Sequence, residues 1–326
     1  MNDHAHLLEL FLDHLKKHTT SLSDKHPVEL YAPEKYILSL GGKRIRPLLA
    51  LVACDLFDAD PKQALGSALC VELFHNFSLV HDDILDGAPL RRNKPTVHTK
   101  WNVNIAILSG DAMLVKAFQA LEPYSGVERQ ALFALFSKTA IDVCEGQQFD
   151  MNFETQKDVA VSDYLHMILL KTAVLLGCSL KMGAINAGSS EGDQNYLYDF
   201  GKHLGIAFQL MDDYLDAFAE DSEKFGKQLG GDIISNKKTF LLLKAMELAN
   251  TEQRGQLNKI LNCSDPKEKV SDMLKIYDLL HIKQYCMEEA DKHTALAIQA
   301  LEHVSGSPPK KLALKTFALD LLNRQI

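Results

Sequence analysis

The stretch Phe77-Ser78-Leu79-Val80-His81-Asp82-Asp83-Ile84-Leu85-Asp86 has a counterpart about 130 residues later, Phe208-Gln209-Leu210-Met211-Asp212-Asp213-Tyr214-Leu215-Asp216. Both run from Phe-x-Leu through a short spacer to D-D-x-L-D. Their apolar spacing is helical, and in a helix the first and last Asp of each copy stand ~6 Å apart along the axis, on one face. Two carboxylates so placed repel each other unless a cation lies between them. Oxygen ligands alone suit a hard ion such as Mg²⁺, which binds through one or two carboxylates plus the phosphates of a substrate. A single acidic turn is ordinarily a solvated face. Its repetition with matching apolar flanks points to a paired Mg²⁺-diphosphate site.

Outside these segments, apolar residues recur at three- and four-residue spacing and strand-like alternation is scarce. The pattern predicts an amphipathic helix over 5–17 and a strongly apolar segment from Leu48 to Phe57. The helix carrying the first acidic motif is expected from about Pro61 to Asp86, stopped by Gly87-Ala88-Pro89. Further helices are expected over 102–121, 126–149, 161–188, 192–218, 236–249, 252–262, 266–280, 282–305 and 309–324. Pro27 and Pro33 punctuate the chain before Tyr36–Leu40. Leu90–His98 reads as a basic loop, and Glu220–Ser235 as the one long polar connection. No Pro/Ser-rich linker divides the chain, so the expectation is a single all-α domain over residues 1–326. It should be a helical bundle whose facing helices enclose the site.

The composition agrees. The chain has 326 residues, 46% hydrophobic and 24% charged, enough for a large core. A formal net charge of -8 disfavours a nucleic-acid partner. Six cysteines without a C-x-x-C pair read as reduced core residues of a cytoplasmic protein. The segment Leu7–Asp13 is amphipathic and interrupted by acids, unlike a signal peptide. No apolar run is expected to approach the ~20 residues that a membrane span needs.

Basic clusters accompany the acidic ones. Gly41-Gly42-Lys43-Arg44-Ile45-Arg46-Pro47 combines backbone freedom with three cations, which suits a diphosphate. Arg91 and Arg92 follow Asp86 closely, and their forked guanidiniums can meet phosphate oxygens. Phe225-Gly226-Lys227 through Gly230-Gly231-Asp232 to Asn236-Lys237-Lys238 follows the second acidic motif in the same way. Lys171-Thr172 opens an apolar segment, where a lysine is otherwise expensive to place. His75 stands two turns before Asp82 on the same helical face, which favours substrate contact over a purely structural role. His81 reads as a packing residue, and His98 as one that orders the basic loop.

Together these segments resemble the trans-polyprenyl diphosphate synthases. The motifs are G-G-K-R-I-R-P (41–47), D-D-I-L-D with R-R-N-K-P-T-V-H (82–98), S-G-D-A (109–112), G-Q-Q-F-D (146–150), K-T (171–172), F-Q-L-M-D-D-Y-L-D (208–216), and F-G-K with G-G-D-I-I-S-N-K (225–237). The resemblance implies an all-α isoprenoid synthase fold with a deep central cavity, and a homodimer. It implies a prenyltransferase that condenses isopentenyl diphosphate with allylic diphosphates, using Mg²⁺, about three ions per active site once substrate is bound. By the same resemblance Asp82, Asp86, Asp212 and Asp216 hold the metal, with Asp83 and Asp213 as second members of each pair. Arg91, Lys171, Lys227 and Lys237 grip the allylic diphosphate; Lys43, Arg46, His75 and Arg92 hold isopentenyl diphosphate. Thr172 and Gln209 face the forming cation.

Such a reaction develops negative charge on the leaving diphosphate, where metals and fixed cations act most strongly, and its carbocation needs a dry cavity. Product length is expected to depend on Phe77 and Ser78, about one turn deeper than Asp82. Bulky Phe77 argues against very long products, while small Ser78 allows growth past C15. The reading is geranylgeranyl diphosphate, with farnesyl diphosphate as the alternative. A terpene cyclase would not need Lys43, Arg46 and Arg92, and a non-catalytic partner subunit would typically lose an acidic motif. The end of the chain, Leu322–Ile326, lacks the multiply basic tail of some relatives.

Overall fold

The computed structural model describes residues 4–219 and 230–323. Its backbone divides into two compact units. The first comprises Met1–Ala140, Cys178–Tyr198 and Val304–Leu314; the second comprises Ile141–Gly177, Asp199–His303 and Lys315–Ile326. Helices supply nearly all the regular structure, as the apolar spacing predicts.

The helices of the opening part are α1 (Ala5–Ser21), α2 (Val28–Ser39), α3 (Ile45–Asp55), α4 (Leu65–Leu85), α5 (Val97–Lys100) and α6 (Val103–Gln119). Then come α7 (Gly126–Thr155), α8 (Val161–Ile168), α9 (Val174–Asn186) and α10 (Glu191–Phe218). The later helices are α11 (Gly231–Ile234), α12 (Phe240–Leu248), α13 (Thr251–Leu261), α14 (Pro266–Leu279), α15 (Ile282–Glu302) and α16 (Pro308–Leu322).

In the first unit α3 and α4 are the buried helices. Leu49, Ala50, Leu51 and Ala53 on α3 are fully enclosed, as are Leu73 and Phe74 on α4. Gly183 is what lets the chain pass α3 closely, because a Cβ there would strike the carbonyl of Ala50. The second unit has its own core, in which Tyr164, Leu210, Tyr214, Phe240, Leu241 and Tyr277 pack together. Burying side chains of this size contributes roughly 1.5–3 kcal/mol each.

Four local differences from the sequence reading have identifiable causes. Helix α2 forms although Pro33 lies inside it. The missing N–H removes one helical bond, and burial of Pro33, Ile37 and Leu38 offsets the loss. The helix expected from Pro61 begins as a tighter 3-10 turn, Pro61–Ala64, capped by the Asp60 side chain. The basic loop is instead a small antiparallel hairpin, β1 (Leu90–Arg91) with β2 (Lys94–Pro95), pairing Leu90 with Pro95 and Arg91 with Lys94. Its two turn residues, Arg92 and Asn93, have φ of 53° and 59°, the twist a two-residue hairpin requires.

The fourth difference lies in 161–188, where the chain is not one regular helix. Between α8 and α9, Leu169–Ala173 winds as a π turn. The stretch Val161–Asn186 is also long and apolar enough to cross a membrane by length and composition. Of its most apolar window, 78% is buried inside the protein, so its apolar surface is taken up by the core.

Candidate active site

The first acidic motif occupies the last turns of α4. Asp86 terminates the helix, and its N–H bonds the Asp82 carbonyl at 2.9 Å, which puts the two carboxylates one turn apart as expected. Gly87 follows with φ of 61°; the Gly87 N–H reaches the Ile84 carbonyl and the Ala88 N–H the Asp83 carbonyl. This double bond pattern, which glycine accommodates without strain, fixes where the helix stops and therefore where Asp86 stands.

The middle aspartate behaves differently from its neighbours. Asp83 is buried and accepts a two-armed contact from Arg91, with Nε at 2.9–3.0 Å and Nη2 at 2.8 Å. Arg91 Nη2 also stands 3.9 Å from Asp82 Oδ2. Thus Asp83 anchors the hairpin arginine, while Asp82 and Asp86 keep the outer face. Thr96 donates to the Ala88 carbonyl at 2.8 Å and meets His98 Nδ1 at 3.2 Å, which ties His98 to this segment.

The cations of G-G-K-R-I-R-P separate. Arg44, in a left-handed conformation, turns inward to Glu72 and the Leu38 carbonyl and is a structural residue. Glu72 also accepts from Asn76 at 2.8 Å. Lys43 is exposed. Arg46 Nη1 lies 3.4 Å from His75 Nε2, whereas Arg46 Nε is buried without a partner. Burial brings the Arg46 guanidinium down to about 10. Burial first, then Arg46, Arg92, Arg91 and Arg44, hold the His75 imidazole well below its ordinary value. His75 is therefore neutral, and since arginine only donates, its Nε2 is the acceptor and its proton sits on Nδ1. Arg92 donates to the Gly41 carbonyl, and its guanidinium fills the space a Cβ on Gly42 would occupy. Arg46, His75 and Arg92 thus belong to one basic corner of the first unit, and exposed Lys43 follows Gly42 in the chain.

Deeper on α4, Phe77 is buried and packs edge-on against His81 at 4.7 Å between centroids and against Phe74 at 5.5 Å. Phe74 in turn meets Phe136 of α7, and Phe136 meets Phe118 of α6. Of this aromatic column sequence reasoning singled out only Phe77; the rings behind it are visible only once the helices pack. Ser78 bends its hydroxyl back to the His75 carbonyl at 2.9 Å.

In the second unit Lys171 and Thr172 sit inside the π turn. Gly146 of α7 and Gly205 of α10 flank that turn: a Cβ on Gly146 would strike the Lys171 backbone N, and one on Gly205 the Ala173 Cα. Widened turns of this kind are frequent at functional sites because they re-aim side chains. Lys171 Nζ bonds Asp150 Oδ2 at 2.6 Å, and Thr172 Oγ1 donates to Gln209 Oε1 at 3.4 Å. Gln209 Nε2 donates to Asp213 Oδ1 at 3.2 Å, while Tyr164 donates its hydroxyl to Asp213 Oδ2.

Asp213 is buried, and desolvation, reinforced by Asp232, pushes its carboxyl up to about 7 against the hydrogen bonds from Tyr164 and Gln209. Asp212 on the same helix is part-exposed. Asp216 is buried and accepts from the Asp232 N–H at 3.0 Å. A cavity here is lined by Asp213, Asp216, Asp232, Asn236, Lys237 and Tyr277. The expected lysine pair 237–238 divides: Lys237 lines this cavity, but Lys238 donates to the Phe153 and Gln156 carbonyls and closes the end of α7. Lys227 lies outside the described residues, as do Arg324, Gln325 and Ile326 of the tail.

Sequence reasoning missed Tyr164 and Glu72 as parts of these arrangements, whereas Asp232 lay within the quoted G-G-D-I-I-S-N-K. Asp150 lay within the quoted G-Q-Q-F-D, yet only the fold shows its lysine partner. Among the described residues no cluster of three or more His, Cys, Asp or Glu side chains could hold a metal by itself. Each acidic motif therefore offers carboxylates in pairs, a donor set that fits an ion completed by water and substrate phosphate.

A family model described as polyprenyl synthetase matches residues 27–280. The chain belongs to the polyprenyl synthetase family. All the residues named above as site candidates, from Lys43 to Lys237, fall inside that match. A short chain isoprenyl diphosphate synthase of Methanothermobacter thermautotrophicus is 38% identical over 94% of this chain and 93% of its own. A geranylgeranyl diphosphate synthase of Sulfolobus acidocaldarius is 38% identical over 85% of each chain. A crystal structure of a geranylgeranyl pyrophosphate synthase is 45% identical, covers 100% of both chains and superposes with a TM-score of 0.94. The polyprenyl synthetases are prenyltransferases with an all-α isoprenoid synthase fold, as the motifs implied.

Proposed function

We propose that this polyprenyl synthetase makes geranylgeranyl diphosphate by adding isopentenyl diphosphate head-to-tail to allylic diphosphates, with residues 1–326 acting as one catalytic domain. The observation that carries the reading is the aspartate pair Asp82 and Asp86 at the end of α4, beside a basic corner whose buried Arg46 Nε has no partner. The names of the relatives above support the C20 product.

In the reaction the allylic C1–O bond breaks and its electron pair leaves with the diphosphate. The isopentenyl double bond then attacks C1 through C4, and a C2 proton is lost to the departing diphosphate. Mg²⁺, when bound, neutralises charge developing on that leaving group. Asp82 and Asp86 of the first motif, and Asp212 and Asp216 of the second, would hold such ions. Lys171, Lys227, Lys237 and Arg91 bind the allylic diphosphate, Arg91 being oriented by Asp83. Lys43, Arg46, Arg92 and neutral His75 bind isopentenyl diphosphate, with His75 Nδ1–H available as a donor. Thr172 and Gln209 attend the cation.

Phe77, backed by Phe74, Phe136 and Phe118, limits tail length, and Ser78 beside it leaves room past C15. The free state of the cysteines is consistent with a cytoplasmic location. Exposed apolar side chains on α6, Leu108 at 61% and Val115 at 59%, support a homodimer.

The test is incubation with Mg²⁺, labelled isopentenyl diphosphate and, separately, C5, C10 and C15 allylic diphosphates, followed by sizing of products. A dominant C20 product is expected. A dominant C15 product would replace the product assignment, C30 or longer would overturn the role of Phe77, and no incorporation with any primer would overturn the synthase reading.

A further inference from the structure

Gln209 carries an amide whose two ends have opposite polarity, and two neighbours take one end each. Nε2 donates to Asp213 Oδ1 at 3.2 Å, so Oε1 is the end turned to Thr172, 3.4 Å from its hydroxyl. Asp213 can receive that amide N–H because its other oxygen, Oδ2, is held by the Tyr164 hydroxyl. With Oδ2 taken by a donor, the ionised carboxylate offers Oδ1 as an acceptor. Tyr164 is only 2% exposed and sits in α8, immediately before the π turn that carries Lys171 and Thr172.

We propose that Tyr164 and Asp213 set the polarity of the Gln209 amide, so that its carbonyl oxygen and not its NH₂ group faces the allylic cation. This rests on the reading that Gln209 and Thr172 attend that cation. Tyr164 is then a positioning residue for ionisation. A carbonyl dipole aimed at developing positive charge stabilises the transition state without reorganising, and a reversed amide would oppose it. The alternative is that Tyr164 merely satisfies a buried carboxylate, which every buried polar group requires.

The two explanations differ in one measurement. Turnover is compared for an allylic diphosphate and for its analogue bearing fluorine on the allylic unit, which destabilises the cation. The fraction of correctly folded enzyme cancels in this ratio. Tyr164→Phe is expected to lower kcat by ~10- to 100-fold with KM changed by less than ~3-fold. It should also raise the parent-to-fluorinated ratio several-fold, because the enzyme then answers cation instability less well. Asp213→Asn, which keeps the volume but frees the amide to turn, should move the ratio in the same direction, and it decides the matter alone if Tyr164→Phe does not fold. The double variant should lose little more than the worse single one. Tyr124→Phe, at a half-buried tyrosine whose hydroxyl donates to the Gln63 carbonyl, should leave the ratio unchanged. An unchanged ratio in an active Tyr164→Phe or Asp213→Asn enzyme overturns the proposal while leaving the synthase reading intact. A wild-type protein that incorporates no isopentenyl unit overturns both.

Discussion

At the scale of single residues, the two acidic motifs use identical letters for different purposes. Asp83 and Asp213 are buried and bound by Arg91 and by Tyr164 with Gln209, whereas Asp82, Asp86 and Asp212 are less enclosed. Asp82→Ala and Asp212→Ala should each lower turnover by at least ~100-fold, since metal-assisted departure of diphosphate depends on them. Circular dichroism and the melting temperature should stay near wild type; near-normal rates in either variant would sink the assigned metal site. Asp213 has a pH signature of the opposite kind to an ordinary salt-bridged carboxylate. Burial, reinforced by Asp232, pushes its carboxyl from the ordinary carboxylate value of 3.8 up to about 7, so the folded state holds the proton more tightly than the unfolded chain. That contribution to stability is complete below pH ~4 and is lost as pH rises through about 7. Asp213→Asn removes it, so the melting temperature of the variant relative to wild type should climb between pH 5 and pH 8. An offset independent of pH would contradict the assignment.

At the scale of elements, the π turn Leu169–Ala173 depends on two glycines from other helices. Gly146→Ala and Gly205→Ala place a methyl against backbone atoms of the turn, which cannot swing aside as a side chain could. Each should destabilise by about 1–3 kcal/mol and lower activity through displaced Lys171 and Thr172. Gly255→Ala in exposed α13 meets nothing within 4 Å, and should instead stabilise by a few tenths to about 1 kcal/mol through helix propensity. Thermal melts of the three variants check both signs. Most helix boundaries were legible, because the 3.6-residue period and the Gly and Pro stops are local; α2 was not, since Pro33 reads as a stop, and α7 runs past its expected end to Thr155. The π turn was not: one extra residue in a turn leaves an apolar pattern nearly unchanged. The hairpin was also missed, since Arg-Asn is an uncommon pair for its left-handed turn and only pairing across four residues reveals it.

At the scale of the whole molecule, the dimer proposal rests on the apolar side chains that α6 leaves exposed. Leu108→Glu should convert the dimer to monomer, shifting the sedimentation-derived mass about two-fold, because a buried unpaired carboxylate costs several kcal/mol at an interface. A wild-type protein that sediments as a monomer would exclude the homodimer, and a variant that remains dimeric would exclude this face. The backing of Phe77 is another property of packing. Phe74, Phe118 and Phe136 lie on three helices, and no spacing rule connects a residue of α4 with one on α7.

The sequence by itself determined the all-α class, the family and the two acidic motifs, and it nominated most residues of the candidate site. Those depend on period, punctuation and local spacing, which are written along the chain. The tertiary structure alone decided which charges face one another: that Arg44 serves Glu72, that Lys238 closes a helix, that Asp83 anchors Arg91, and that Tyr164 reaches Asp213 from 49 residues away. The reason is physical. A charged side chain costs little where it is solvated and a great deal where it is buried alone, so its role is set by the partner that folding brings to it.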